Sequence, residues 1–150
     1  MLRLFFLFFT IFYSRTVFSI LINPTVTLGI NSIDELSIEN ASPFTLLKNT
    51  SGSYDERISS YAITTNGEAK RIIGSIDGIL PEGIKLSVFL EAPTGASSLG
   101  YVILSQESAT LVSNISRVAQ NNLRIIYRLT SSKPIVAGSY PKTIRLTLSD

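Results

Sequence analysis

The side chains that most often carry chemistry are scarce in this chain. It has no histidine and no cysteine among 150 residues, against 11 acids and 13 bases. Without histidine there is no ordinary general base, no imidazole metal ligand and no charge switch near neutral pH. Without cysteine there is neither a thiolate nucleophile nor a disulfide. Paired-carboxylate hydrolysis would need two acids converging at about 5 to 9 Å in a cleft. Asp34, Glu35, Glu39, Asp55, Glu56, Glu68, Asp77, Glu82, Glu91 and Glu107 fall mostly in turn-rich stretches, where acids read as solvated charge. The regular oxygen spacing of a calcium loop is missing, and so is a phosphate-cradling glycine motif. No serine stands in a Gly-x-Ser-x-Gly elbow. The expectation is a protein that is not an enzyme and needs no metal or cofactor.

Binding chemistry has more to work with. Arg124, Arg128 and Arg145 would form a basic stripe if their strands were neighbours. Such a stripe is commonly a wet face, and otherwise suits an anionic polysaccharide or membrane surface. Tyr54, Tyr61, Tyr101 and Tyr140 could stack on sugars, although alternating strands also bury tyrosine.

These residues must be positioned by extended chain. In the last dozen residues, Ile144, Leu146 and Leu148 fall on one side and Thr143, Arg145 and Thr147 on the other. A period of two marks a strand with one face in a core and one in water. A chain that ends inside such a strand is expected to use it to close a sheet.

Residues 1–19 read as a secretory signal peptide: a basic start at Arg3, the apolar run Leu4 to Phe12, and small residues leading to a cut after Ser19. The run is too short to cross a hydrocarbon core as a helix, which takes roughly 20 residues. An uncleaved anchor is the alternative. Cleavage removes Arg3 and Arg15 and leaves equal numbers of acids and bases, so the basic isoelectric point belongs largely to the leader. Nucleic acid, which needs clustered uncompensated cations, is not an expected partner, and no membrane span is expected after cleavage.

Residues 20–150 then form one domain. Ile20, Ile22, Val26, Leu28 and Ile30 alternate with polar residues and glycine, and Pro24 suits an edge or a free arm. This stretch is either the first strand or an arm that lends a strand to a neighbour through Ile22, Val26, Leu28 and Ile30. Short strands are expected over Ile33–Ile38 and Phe44–Leu47, with a solvated loop through Arg57. Ser59–Thr65 and Lys70–Ile76 flank Asn66-Gly67, a hairpin signal. Ile84–Leu90 places Leu86, Val88 and Leu90 on one face. Tyr101–Leu104 is apolar throughout and suits cover on both sides. In Leu123–Leu129 the residues Leu123, Ile125, Tyr127 and Leu129 point inward. Residues 107–121 differ: Leu111, Val112, Ile115, Val118 and Ala119 follow helical spacing, predicting one or two helical turns, with a strand at Thr110–Ser113 as the rival.

Many short strands between turn signals define an all-β, antiparallel Greek-key, immunoglobulin-like β-sandwich. From Tyr61-Ala-Ile-Thr-Thr-Asn66 onward, the chain resembles secreted bacterial β-sandwich proteins of the pilus-subunit and spore-coat-protein-U-like kind. Pro81-Glu-Gly-Ile-Lys-Leu-Ser-Val88, Glu91-Ala-Pro-Thr-Gly95, and Gly138-Ser-Tyr140 leading into Thr143–Leu148 carry that resemblance. It implies an exported, non-enzymatic structural or adhesive surface subunit, fimbria-like, that self-associates or joins other surface subunits by strand addition. The other expectation is a monomeric secreted module that recognises a glycan or a host protein through loops such as Ala92–Leu99.

Overall fold

The computed structural model describes residues 32–39, 54–133 and 141–150, all within one compact unit of the chain. The expected leader, the Ile20–Ile30 stretch with Ile22, Val26, Leu28 and Ile30, the Phe44–Leu47 strand and Tyr140 lie outside the described residues. Among those described, the protein is all-β. Its strands are β1 (Asp34–Glu39), β2 (Tyr54–Thr65), β3 (Lys70–Ile76), β4 (Ile84–Leu90), β5 (Ser97–Ser98), β6 (Val102–Ile103), β7 (Ala109–Ile115), β8 (Val118–Ser131) and β9 (Ile144–Ser149).

They form two antiparallel sheets, ordered β1-β2-β8-β4-β6 and β5-β7-β3-β9, which together make a β-sandwich. Apart from β1 and β2, sheet neighbours are remote in sequence, because nearly every connection crosses from one sheet to the other. The long β8 is the spine, pairing with β2 along one side and with β4 along the other.

Alternation builds the core. Tyr61 and Ile63 of β2, Leu86, Val88 and Leu90 of β4, and Leu123, Ile125 and Tyr127 of β8 all point inward. They meet Ile72 and Ile76 of β3, Leu111, Val112 and Ile115 of β7, and Leu104. Each fully buried aliphatic side chain contributes about 1.5 to 3 kcal/mol, which lets the sandwich form without a disulfide. The Tyr61 hydroxyl is satisfied inside this core by donating to the Glu91 carbonyl oxygen at 2.6 Å.

Several sequence expectations are corrected. Residues 107–121 contain no helix; they are β7, a tight crossing, and the start of β8. The helix-like spacing has a local cause. The β3–β7 register shifts twice, so β7 carries extra residues opposite β3. A bulge puts two successive residues on one face, which buries both Leu111 and Val112 and then Ile115. The pattern i, i+1, i+4 is that of a bulged strand as well as of a helix. Asn114, with φ of 59°, takes the left-handed conformation in the second bulge, and Asn122, at 56°, does the same where the β2–β8 register shifts. Asn tolerates that region better than most residues.

Asn66-Gly67 does not make a hairpin. β2 and β3 belong to different sheets, and the link between them is a crossing fastened at several points. The Asn66 side chain accepts from the Ile33 N–H at 3.0 Å, the Gly67 N–H donates to the Thr65 hydroxyl, and the Arg117 N–H donates to the Gly67 carbonyl. Nor is Tyr54–Arg57 a solvated loop: β8 extends far enough to pair with it, Arg57 opposite Tyr127 and Glu56 opposite Arg128. The Tyr101–Leu104 stretch is not covered on both sides. Its strand β6 is an edge, with Tyr101 and Ile103 exposed and only Leu104 buried.

Candidate functional site

Most of the described acids have partners elsewhere in the fold. Glu56 pairs with Arg128, Asp55 with Arg57, Glu68 with Arg117, and Glu82 with Lys133. The Glu91 carboxylate accepts from the Arg124 backbone N–H, and that of Asp77 from the Thr143 N–H. Asp34, Glu35 and Glu39 lie on β1 and Asp55 and Glu56 on β2, rather than in turns. Among the described residues no three acids gather where a metal ion could bind. Also among them, no helix is long and apolar enough to cross a membrane. Ser139-Tyr-Pro-Lys142 has the Ser-x-x-Lys spacing of a serine beside a lysine base. Ser139 lies outside the described residues.

Two surfaces remain. The first is a lateral side of the sandwich, where both sheets end. Among the described residues β1 pairs only with β2, and β9 only with β3, so within that set each leaves a row of backbone N–H and C=O groups without a neighbouring strand. The two edges approach one another. Ile144, Leu146 and Leu148, the residues expected on the closing strand, share the inward face of β9 and are half-buried against the core. Leu36 of β1 packs on the same core, and Ile38 is 41 % exposed.

A polar clasp shuts one end of this side. Lys70 Nζ lies 3.0 Å from Asp34 Oδ2 and also contacts the Asp150 carboxylate, while Asp34 Oδ1 accepts from the Thr65 hydroxyl at 2.6 Å. The Thr65 bond and then Lys70 hold the Asp34 carboxyl below the usual aspartate range. Asp150 and then Asp34 push the Lys70 ammonium up. At the other end, Glu39 and Ile144 carry no such bridge among the described residues, so the gap between the edges is closed at one end only.

The second surface is the outer face of the five-stranded sheet. Cross-strand pairing lines up Ile58, Ile126 and Phe89, and Tyr101 completes the row beside β6. The adjoining row runs Glu56, Arg128, Ser87 and Ile103. The Phe89 and Tyr101 ring centres are 5.6 Å apart at a tilt of 41°. The Arg128 guanidinium carbon lies 4.2 Å from the Tyr101 ring centre. Its Nε and Nη2 both donate to Glu56 Oε2, at 3.0 and 2.8 Å, and Nη2 also donates to the Tyr101 hydroxyl at 3.1 Å.

The expected arginine stripe is therefore not assembled. Arg124 and Arg128 share this face through β8, but Arg145 is on β9 in the other sheet, and Arg128 is neutralised by Glu56. Of the four tyrosines, Tyr61 is wholly buried, where burial and then Glu91 raise its hydroxyl pKa, and Tyr101 is on the surface. The Ala92–Leu99 loop is tied down: Pro93 is buried, Ala92 and Ala96 pack on the core, and the Thr94 N–H donates to the Gln120 side chain. The sequence signal for the aromatic face was the outward parity of Phe89, Ile126 and Arg128; the neighbouring strands that complete it were not legible. No known protein family matches the chain, and no curated protein does either.

Proposed function

We propose that this protein is an exported, non-enzymatic structural or adhesive subunit that assembles by β-strand addition at the side bounded by β1 and β9. The observation that carries this reading is that, among the described residues, both sheets end on that side in strands of six residues with one backbone edge unpaired, where Ile144, Leu146 and Leu148 of β9 and Leu36 of β1 are half-buried and Ile38 is exposed. Natural sandwiches commonly protect such edges, and an unprotected one is a template for another strand. The other edges, β5 and β6, are two residues each and offer little to pair with.

The donor is the alternating Ile20–Ile30 stretch of a neighbouring copy, with Ile22, Val26, Leu28 and Ile30 placed against Ile144, Leu146, Leu148, Leu36 and Ile38. Main-chain hydrogen bonds supply the affinity and the apolar row sets the register. The test is light scattering of the chain from Ile20 onward, beside a variant lacking residues 20–30 and one carrying Leu146→Arg. The expected result is oligomers for the parent and folded monomers for both variants. A parent that stays monomeric at every concentration overturns the proposal.

A further inference from the structure

The geometry points to the outer face of β2, β8, β4 and β6 as a binding platform for an uncharged, flat-faced β-linked polysaccharide, with Tyr101 and Phe89 as its stacking surface. This is separate from strand addition, which uses the opposite edge of the same sheet and the edge of the other.

Three features support it. First, this face keeps apolar side chains in the open: Ile58 is 61 % and Tyr101 43 % exposed at the two ends of the row, Ile126 and Phe89 are half-buried between them, and Ile103 in the adjoining row is 55 % exposed. Side chains of this kind grouped on one face mark a binding surface rather than ordinary scatter. The row runs across the strands, and three inter-strand spacings of about 4.8 Å give it a length of roughly 14 Å, enough for a few sugar rings in line.

Second, its aromatic end is held in place before any ligand arrives. Tyr101 is fixed by Phe89 on one side and by Arg128 on another, and Arg128 is in turn locked by two bonds to one oxygen of Glu56. A pyranose ring offers a face of C–H groups to an aromatic ring and an equatorial rim of hydroxyls. The Tyr101 hydroxyl, the Ser87 hydroxyl in the adjoining row and the Glu56 carboxylate stand where such a rim would reach them. Restraint of these groups lowers the entropic cost of binding.

Third, the charge selects a neutral occupant. The two rows hold one acid and one base, Glu56 and Arg128, with Lys85 and Arg124 beyond them on the same strands, so the stacking surface itself carries no net charge. The central ion pair is closed on itself. A second copy would bury the same row, and the experiment separates that outcome.

The test is calorimetric titration with hexasaccharides of β-1,4-linked glucose and of β-1,4-linked N-acetylglucosamine, together with depletion from solution by the insoluble polymers. The parent is expected to bind at least one of the two. Tyr101→Ala should weaken binding by about tenfold or more, Tyr101→Phe should preserve the stacking part, and Ile79→Ala, an exposed apolar residue elsewhere, should change nothing. Removing residues 20–30 should leave glycan binding intact even if it abolishes assembly, so the two proposals fail independently. No binding to either polymer overturns the inference. So does binding that survives Tyr101→Ala, or a parent dimer that Tyr101→Ala and Ile58→Asp both dissociate.

Discussion

Lys70 on β3 reaches across the sandwich to Asp34 on β1, 3.0 Å away, so a strand of the four-stranded sheet holds the edge strand of the other. The same ammonium contacts Asp150, just beyond β9. One cation thus ties β1 and β9 together, at the end where the chain crosses between the sheets through residues 66–69. An exposed ion pair adds little global stability. What this one does is local: it sets how far β1 can separate from β9.

Replacing Lys70 with Met is therefore expected to loosen β1 without unfolding the core. Hydrogen exchange should quicken at Leu36 and Ile38 while Ile125 and Tyr127 keep their protection. The clasp also fixes a pH window. Asp34 is depressed, so its contribution is present above the ordinary aspartate value of about 4 and is lost as pH falls through the depressed value. Lys70 is raised, so its contribution is complete below about 10.4 and is lost as pH rises through the raised value. Protection of β1 should hold between those limits, and Asp34→Asn should remove its acid limb.

Tyr61→Phe should cost about 1 kcal/mol, the net worth of one buried hydrogen bond, because Glu91 would lose the donor of its 2.6 Å bond. Burial and then Glu91 raise the Tyr61 hydroxyl, and burial raises that of Tyr127. Both stay protonated in the folded state where the unfolded chain ionises, so stability should fall as pH rises above about 10. Urea unfolding at alkaline pH should show a shallower loss for Tyr61→Phe than for the parent.

Gly74 sits in the middle of β3 facing the interior. A methyl group there would lie 2.8 Å from Leu111 Cδ1, 3.1 Å from Leu104 Cδ2 and 3.2 Å from Leu146 Cδ2. Three core side chains cannot all give way at once, so Gly74→Ala should destabilise by about 1 to 3 kcal/mol. Leu146 belongs to β9, and the variant should also loosen that edge. Thermal melting and exchange at β9 amides measure the two effects separately.

The faces of single strands were readable from residue order. The parity of β4 and β8, with Leu86, Val88, Leu90, Leu123, Ile125 and Tyr127 inside, follows from the two-residue repeat, and so does the half-buried row Ile144, Leu146 and Leu148. The all-β class followed from many such segments between turn signals. Where local order failed, a distant partner was responsible. Leu111 and Val112 imitated a helix because β3 imposes bulges on β7. Asn66-Gly67 imitated a hairpin because the turn chemistry is the same whether the next strand stays in its sheet or leaves it.

Which strands lie side by side was settled only by folding. Arg128 acquires Glu56 and Tyr101 from 72 and 27 residues away, and Lys70 acquires Asp34 from 36. Alternation depends on a residue's own side chain and its near neighbours, so it is written in the chain itself. Pairing depends on the summed burial of all strands against the entropy of closing long loops, and that balance exists only in the assembled sandwich.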